Sequence, residues 1–486
     1  MENIIIFSPA ACAVVAFIAV SWAYFKILRI AVEKQLVDNP DARKLQNRPV
    51  PVVGGLAVFF GILSGVLLGA VIHAIVGDES STRLLPIMCV LSVMLYIGAM
   101  DDILGLSPKA RLIIEILSMV ALVFSSGICI DSLHGTWGVY DFSWWIGVPL
   151  TVVTGVGIIN AVNMIDGVNG LSSGLCITCC LFFGVYFILI GDTPNAVLAF
   201  TTIGALTPFY IHNVFGYKSR MFIGDAGTMV MGALLTWFTI CLLNAEHAMV
   251  FRSSGLQLNP IALVLSILSL PVFDTLRVMG MRIAHHNSPF HPDKTHLHHI
   301  FINVGISHFI TSVSEILIDA VVVGFLLVGV SLGASFELQL YIVIITAMIF
   351  VWGTYAILQY NARNHTPFLH WITNFSVKTH LGRRHWWKKI TNYLDKPCTS
   401  FVDNELMEGE DECELYKKNL KEQDRFRIIR YIRGRAEVLV SDILENSGAD
   451  SMRVYPILVE EIQKGRITVI KESWLGSPEI ISYNND

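Results

Sequence analysis

The chain has 486 residues, 53% of them hydrophobic and 15% charged, with a mean hydropathy of +0.59. Soluble proteins carry about 25% charge, so these proportions exclude a wholly soluble fold and place much of the chain in lipid. The net charge of −5 is mild and points to no nucleic-acid partner.

A bilayer-spanning helix needs about 20 mostly apolar residues. Eleven stretches fit that measure, at 4–30, 51–76, 84–100, 110–130, 144–160, 170–190, 195–214, 227–244, 259–280, 313–331 and 337–359. The first has no basic segment before it and no cleavage site after it, so it reads as a retained span rather than a removable signal. The expected fold is an all-α polytopic membrane protein of about eleven transmembrane helices over residues 1–360. Alternate loops hold Lys26, Arg29, Lys34, Arg43, Lys44, Arg48, Lys109, Arg111, Lys218, Arg220, Arg277, Arg282 and Lys294, against only Arg83 and Arg252 on the opposite side. Cytoplasmic loops carry the Lys/Arg excess. The amino terminus is therefore expected outside and the C-terminal tail in the cytoplasm.

Every polar stretch then falls on the cytoplasmic face. Asp101 and Asp102 close the apolar run 90–100. Two carboxylates at a span's end are costly without a cation, although an isolated pair also suits a solvated helix terminus. In Asn160-Ala-Val-Asn163-Met-Ile-Asp166-Gly-Val-Asn-Gly170, two amides and a carboxylate recur on one helical face before glycines break the helix. In Phe222-Ile-Gly-Asp225-Ala-Gly-Thr228, Asp225 precedes an apolar run, where it can cap a helix whose N–H groups also suit phosphate. Residues 288–299 concentrate Lys294, His296, His298 and His299. Zinc is the competing reading, but the stretch lacks Cys and an i,i+4 His pair. Cys176, Cys179 and Cys180 lie within an apolar run without His or a second pair and read as packing residues.

Beyond residue 360 the composition changes. Residues 361–412 are expected to form an interfacial segment, with Trp371, Arg383, Arg384, Trp386, Trp387, Lys388 and Lys389, followed by an acidic linker. Residues 413–486 alternate charged and apolar positions at helical spacing, then end in a strand-like Ile467–Ile470. A small soluble cytoplasmic domain, α or α+β, is expected there, with no catalytic motif. Regulatory and merely stabilising roles both remain open.

Carboxylates, amides and cations on one face suit phosphoryl transfer, which needs a metal, charge neutralisation and alignment more than covalent chemistry. Five motifs, Asp41-Ala-Arg-Lys with Pro51-Val-Val-Gly-Gly, Asp101-Asp102, Asn160 to Gly170, Gly224-Asp225-Ala-Gly, and Ser288-Pro-Phe to His299, occur in one order over residues 30–330. In these the chain resembles the polyprenyl-phosphate N-acetylhexosamine-1-phosphate transferases of glycosyltransferase family 4. The resemblance implies attack of undecaprenyl phosphate on a UDP-N-acetylhexosamine, most simply UDP-GlcNAc, with UMP leaving, Mg²⁺ (or Mn²⁺) as cofactor, and a bacterial inner-membrane location. It also implies a homodimer. It assigns Asp225, Asn163 and Asp102 to the metal, and Asp101, Asp102, Asp166, His296, His298 and His299 to catalysis. Asn160, Asn163, Lys109, Arg111, Arg277, Arg282 and Lys294 would bind substrate.

The His-Leu-His-His pattern resembles the branch that initiates common-antigen, O-antigen and teichoic-acid synthesis, whereas the peptidoglycan branch shows three consecutive histidines. Asn169 stands where many relatives of that branch have Asp, and Thr228 replaces a common Ser. The competing readings are a phospho-MurNAc-pentapeptide transferase, a transferase with another UDP-HexNAc donor, and a secondary transporter using Glu115, Asp274 and Asp319. A transporter site belongs at mid-bilayer between repeats, whereas these motifs cluster at one face.

Overall fold

The computed structural model describes residues 2–38, 49–244, 257–286, 288, 295–364, 385–400, 402, 421–433, 435, 437–449, 451–472 and 478–483. The Asp41 motif, Lys294, Trp371, Arg383, Arg384 and most of the acidic linker lie outside them. In chain order the first helices are α1 (Glu2–Glu33), α2 (Gly54–Val76), α3 (Leu85–Leu104), α4 (Pro108–Ser126), α5 (Trp144–Ile165), α6 (Leu171–Ile190), α7 (Thr193–Phe215) and α8 (Gly224–Leu243). They are followed by α9 (Pro260–Ile267), α10 (Ser269–Ala284), α11 (Leu297–Asn303), α12 (His308–Ser331), α13 (Phe336–Ala347) and α14 (Gly353–Asn364), the last two joined by a π-turn. All eleven expected apolar stretches are helical.

Among the described residues nine helical segments are long and apolar enough to cross a membrane, or ten if α9 and α10 count as one bent span. The protein is therefore a multi-pass membrane protein. The remaining expected span is α4, whose first two turns carry Lys109, Arg111 and Glu115, so only its later turns are uncharged.

The span expected over 259–280 is broken, with α9 and α10 meeting at 77°. Pro271 cannot donate to the carbonyl four residues back. That carbonyl, of Ile267, accepts the Cys179 thiol at 3.2 Å. The freed donors at the start of α10 turn to α12, where Asp319 accepts from the Ser269 hydroxyl at 2.8 Å and the Leu270 N–H at 3.1 Å. Cys179 and Asp319 thus stabilise a kink. Cys176 and Cys180 lie 3.9 Å apart within the same buried helix, and no metal-holding group of His, Cys, Asp or Glu occurs among the described residues.

α8 sits at the centre, buried along the whole of its apolar length and enclosed by α2, α3, α5 and α6. Small residues let neighbouring helices reach its N-terminal end. A Cβ on Gly98 of α3 would come within 2.4 Å of Ala226 Cα, and one on Gly55 of α2 within 2.4 Å of Gly227 N. Two short strands, β1 (Val37–Asp38) and β2 (Val50–Pro51), pair antiparallel in the α1–α2 connection. The segment before α8 continues this pairing, since Phe222 N–H donates to Pro51 O and Gly54 N–H to Phe222 O. The N-terminus of α8 is thereby fixed on three sides.

The C-terminal part holds α15 (His385–Asp395) with a 3-10 turn at Lys396–Ser400, a helix α16 over 421–432, then α17 (Val440–Asn446) and α18 (Ser451–Gln463). β3 (Val438–Leu439), β4 (Ile467–Glu472) and β5 (Pro478–Tyr483) form an antiparallel sheet in the order β3-β5-β4. Ile428, Ile432, Ile443, Val454, Ile457 and Ile481 form a hydrophobic cluster of its own there. Cys398 and Val402, placed by composition in a linker, instead join the core of the membrane helices.

Candidate active site

α3 ends because Gly105 adopts φ 65°, a left-handed cap. Its last turn carries both aspartates. Asp101 accepts the Leu106 N–H at 2.7 Å, which fixes the turn into α4, and pairs with Arg111 at 3.3 Å. Asp102 takes the capping role that the sequence leaves open to Asp225. Its two oxygens accept the Asp225 N–H at 2.8 Å and the Ala226 N–H at 3.1 Å, so α8 is capped by a carboxylate from another helix. Asp225, relieved of capping, points onward with its side chain 34% exposed, 3.5 Å from Arg111.

Arg111 also donates to Glu115 at 3.0 Å, and Glu115 in turn accepts from Asn160. One guanidinium therefore serves Asp101, Asp225 and Glu115 together. Its Nη2 is buried with no hydrogen-bond partner among the described residues. Asn160 is engaged away from Asn163 and Asp166, which do share the site. The Thr228 hydroxyl donates to Asn163 Oδ1 and the Ser172 hydroxyl to Asp166 Oδ1, each at 2.6 Å. Asp166 lies just beyond the end of α5. Burial, reinforced by the Asp225 charge, pushes its carboxyl up to about 6 against the Ser172 hydrogen bond.

Asp101, Asp102, Asn163, Asp166, Ser172 and Asp225 line a cavity of about 710 Å³ together with Asp38, Asn213, Tyr217, Arg220, His298, His299 and His308, whereas Arg111, Glu115 and Asn160 do not reach it. Five aspartates share it. Sequence motifs named Asp101, Asp102, Asn163, Asp166, Asp225, His298 and His299 of this lining. They missed Asn213, whose amide accepts the Gly170 N–H and donates to Met221 O, each at 2.7 Å. It joins the turn after α5 to the approach to α8, and an Asn near the end of the apolar α7 was its only signal. Arg220 was counted only toward topology, and its neighbourhood reveals its place.

Other predicted residues lie elsewhere. His296 and Arg277 both bind Asp274, His296 Nδ1 at 2.8 Å and Arg277 Nη2 at 2.6 Å, while Arg277 also donates to Thr295 O and stacks on Tyr355. This buried network holds the start of α11 and does not line the cavity. Neither does the buried Arg282 nor the exposed Lys109. His298 does line it. Burial, then the neighbouring His299 and His296, holds its imidazole well below the ordinary range, so it is neutral near pH 7 rather than cationic.

The oxygen donors suit a hard cation. Asp225 with the Asn163 amide beside it offers oxygen ligands suited to Mg²⁺, a metal commonly held by one or two carboxylates plus substrate phosphate. Gly224 matters to this geometry. It sits at φ 70°, and a Cβ there would lie 2.5 Å from Asp102 Oδ2 and 2.6 Å from Val52 O. Gly224→Ala is expected to displace the Asp102 cap and to lower kcat by about tenfold or more, the scale on which small misplacements act; steady-state kinetics of the purified variant check it.

Residues 84–243 match Glycosyl transferase family 4. The chain is 30% identical over 283 residues to a probable undecaprenyl-phosphate N-acetylglucosaminyl 1-phosphate transferase of Bacillus subtilis, covering 58% of this chain and 74% of that one. It is 29% identical over 287 residues to an undecaprenyl-phosphate alpha-N-acetylglucosaminyl 1-phosphate transferase of Yersinia pestis, covering 58% and 73%. A decaprenyl-phosphate N-acetylglucosaminephosphotransferase of Mycolicibacterium smegmatis is 29% identical over 310 residues, covering 61% and 75%. The chain belongs to glycosyl transferase family 4. It is accordingly a phosphotransferase enzyme of the membrane. The family match contains Asp101, Asp102, Asn163, Asp166 and Asp225 but ends before His298, so the last wall of the cavity comes from outside it.

Proposed function

We propose that this cavity transfers N-acetylglucosamine-1-phosphate from UDP-GlcNAc to undecaprenyl phosphate. The observation that carries the reading is the convergence of Asp101, Asp102, Asp166 and Asp225, from the ends of three helices, in one cavity open to a nucleotide-sized ligand. A smaller apolar cavity of about 300 Å³, lined by Leu36, Val53, Leu56, Ala99 and Ile103, shares Asp102 with it. Polar and apolar compartments meeting at one carboxylate suit a reaction between a soluble donor and a lipid acceptor. The charge asymmetry of the loops supports a cytoplasmic position for both.

In the reaction, an oxygen of the lipid phosphate forms a bond to the β-phosphorus of the donor. The bond from that phosphorus to the bridging oxygen breaks, and UMP leaves with the electron pair. Mg²⁺ held by Asp225, with Asn163 nearby, would supply charge neutralisation for the diphosphate. Arg111 keeps Asp101 and Asp225 in place from behind the wall, while Arg220 is a cation of the wall itself. Asp102 fixes the end of α8 on which Asp225 stands. Neutral His298, with His299 beside it, is placed to hydrogen-bond sugar or phosphate oxygens.

Purified protein with undecaprenyl phosphate, Mg²⁺ and radiolabelled UDP-GlcNAc should give a chloroform-extractable sugar diphosphate and free UMP. No product with any of a panel of UDP-sugars would remove the proposal, whereas product only with another donor would change the sugar. The pH profile should show an acid limb near pH 6, because Asp166 protonates there rather than near the ordinary carboxylate value as pH falls. Ser172→Ala removes a hydrogen bond to the charged form, so the limb should move to higher pH; a limb that stays in place would separate Asp166 from the rate.

A further inference from the structure

Residues 215–219 link α7 to the strand-like approach to α8 and are held by side chains from elsewhere. Asp395, the last residue of α15 and 8% exposed, takes most of that role. Its Oδ1 accepts from Tyr217 N–H at 3.1 Å, Ser219 N–H at 2.9 Å and the Ser219 hydroxyl at 2.8 Å, and its Oδ2 from Tyr217 N–H at 3.2 Å. One turn earlier, the Thr391 hydroxyl donates to Phe215 O at 2.8 Å, and Trp387 packs on Phe215 with ring centres 4.6 Å apart. On the other side Tyr24 donates to Ser219 O at 2.8 Å.

The clamped loop delivers Tyr217 and Arg220 to the cavity wall and reaches Gly224 and Asp225 a few residues later. A third cavity of about 530 Å³, walled by Trp387 and Lys388, lies between α15 and this loop and shares Asn169, Tyr217, Arg220 and His308 with the first. A buried carboxylate is retained only where hydrogen bonds compensate it, and here every described bond of Asp395 goes to this one loop.

We infer that α15 is a strap belonging to the catalytic unit, with Asp395 a positioning residue that sets Tyr217 and Arg220 for the nucleotide-sugar. The strap lies more than 140 residues beyond the end of the family match at 243. The kinetic consequence rests on the transferase reading above; the structural one does not. On that reading the polar cavity walled by Tyr217 and Arg220 takes the donor and the apolar cavity at Leu56 and Ile103 the acceptor, so loosening the loop acts on the donor and spares the acceptor.

The test compares Asp395→Ala, Asp395→Asn and Arg220→Ala, singly and combined, in the full-length protein. Asp395→Ala should raise the KM for UDP-GlcNAc by about tenfold to about a hundredfold, the scale of a displaced binding group, with the KM for undecaprenyl phosphate unchanged. Asp395→Asn keeps one acceptor oxygen and should recover part of the loss. Asp395→Ala on top of Arg220→Ala should cost little more, because both act at one point. Equal effects on both substrates, or losses that multiply in the double variant, would reduce Asp395 to a stabilising anchor and overturn the proposal. Hydrogen exchange reads the clamp without any turnover. Asp395→Ala should expose the amides of Tyr217 and Ser219 to exchange while α8 stays protected; unchanged exchange there refutes the strap even if the donor proves to be a different molecule.

Discussion

Asp225→Ala is expected to lower kcat by about 10³-fold, the scale on which removing one charge-stabilising group acts, in a protein that melts and elutes as the parent does. The separation of activity from stability follows from what Asp225 touches. The first N–H groups of α8 are satisfied by Asp102, not by the Asp225 side chain, so truncation leaves no backbone donor unpaired. Alanine is also a good helix former. The lost contacts are the 3.5 Å pairing with Arg111, which keeps Asp101 and Glu115, and a hydrogen bond with Asn163, which keeps Thr228. The other consequence is the loss of an acid at a helix N-terminus, worth about 0.3–1 kcal/mol at most exposed sites. What disappears is the carboxylate that projects into the cavity toward metal and diphosphate. Radiolabel turnover and a thermal melt in the same detergent check both halves. Retention of more than about a tenth of activity, far above the loss expected of such a group, would take Asp225 out of the reaction.

The membrane fold was legible because lipid imposes a blunt requirement. All backbone polar groups must be satisfied within a span, so long apolar runs have one solution, and each of the eleven was helical. The break at Leu268 was harder to see, because its stability depends on Cys179 and Asp319 arriving from α6 and α12, distant in sequence. The same holds at the site. Asp101, Asp102, Asn163, Asp166 and Asp225 sit in recognisable strings at helix ends, so their convergence could be expected from the strings alone. Arg277 and His296 carried equally suggestive chemistry, yet Asp274 draws both into a buried network behind the cavity. No sequence pattern says whether a cation will face a ligand or an internal carboxylate. Asp395 was invisible for the opposite reason: nothing around it resembles a motif, and its partners lie some 176 residues away.

Asp102→Asn makes the contrasting case, because it is expected to damage stability and rate together. An amide presents one acceptor oxygen where the carboxylate presents two. If the oxygen keeps the Asp225 N–H, the amide nitrogen faces the Ala226 N–H, and two donors oppose each other at what is now a 3.1 Å hydrogen bond. An unsatisfied buried donor costs about 1–3 kcal/mol, and removing the charge also withdraws favourable interaction with the α8 dipole. The melting temperature should therefore fall by several degrees. The start of α8 should shift as well, carrying Asp225 with it, and turnover should fall by at least about a hundredfold, the scale set by misplacement of a reacting group. Asp102→Ala removes both acceptors and should melt lower still. The informative comparison is with Asp225→Ala: if Asp102→Asn were equally inactive but fully stable, Asp102 would act on the substrates directly and its capping of α8 would be incidental. A variant that melts lower, and whose α8 amides at 225 and 226 exchange faster, would place the role of Asp102 in holding the helix on which Asp225 stands.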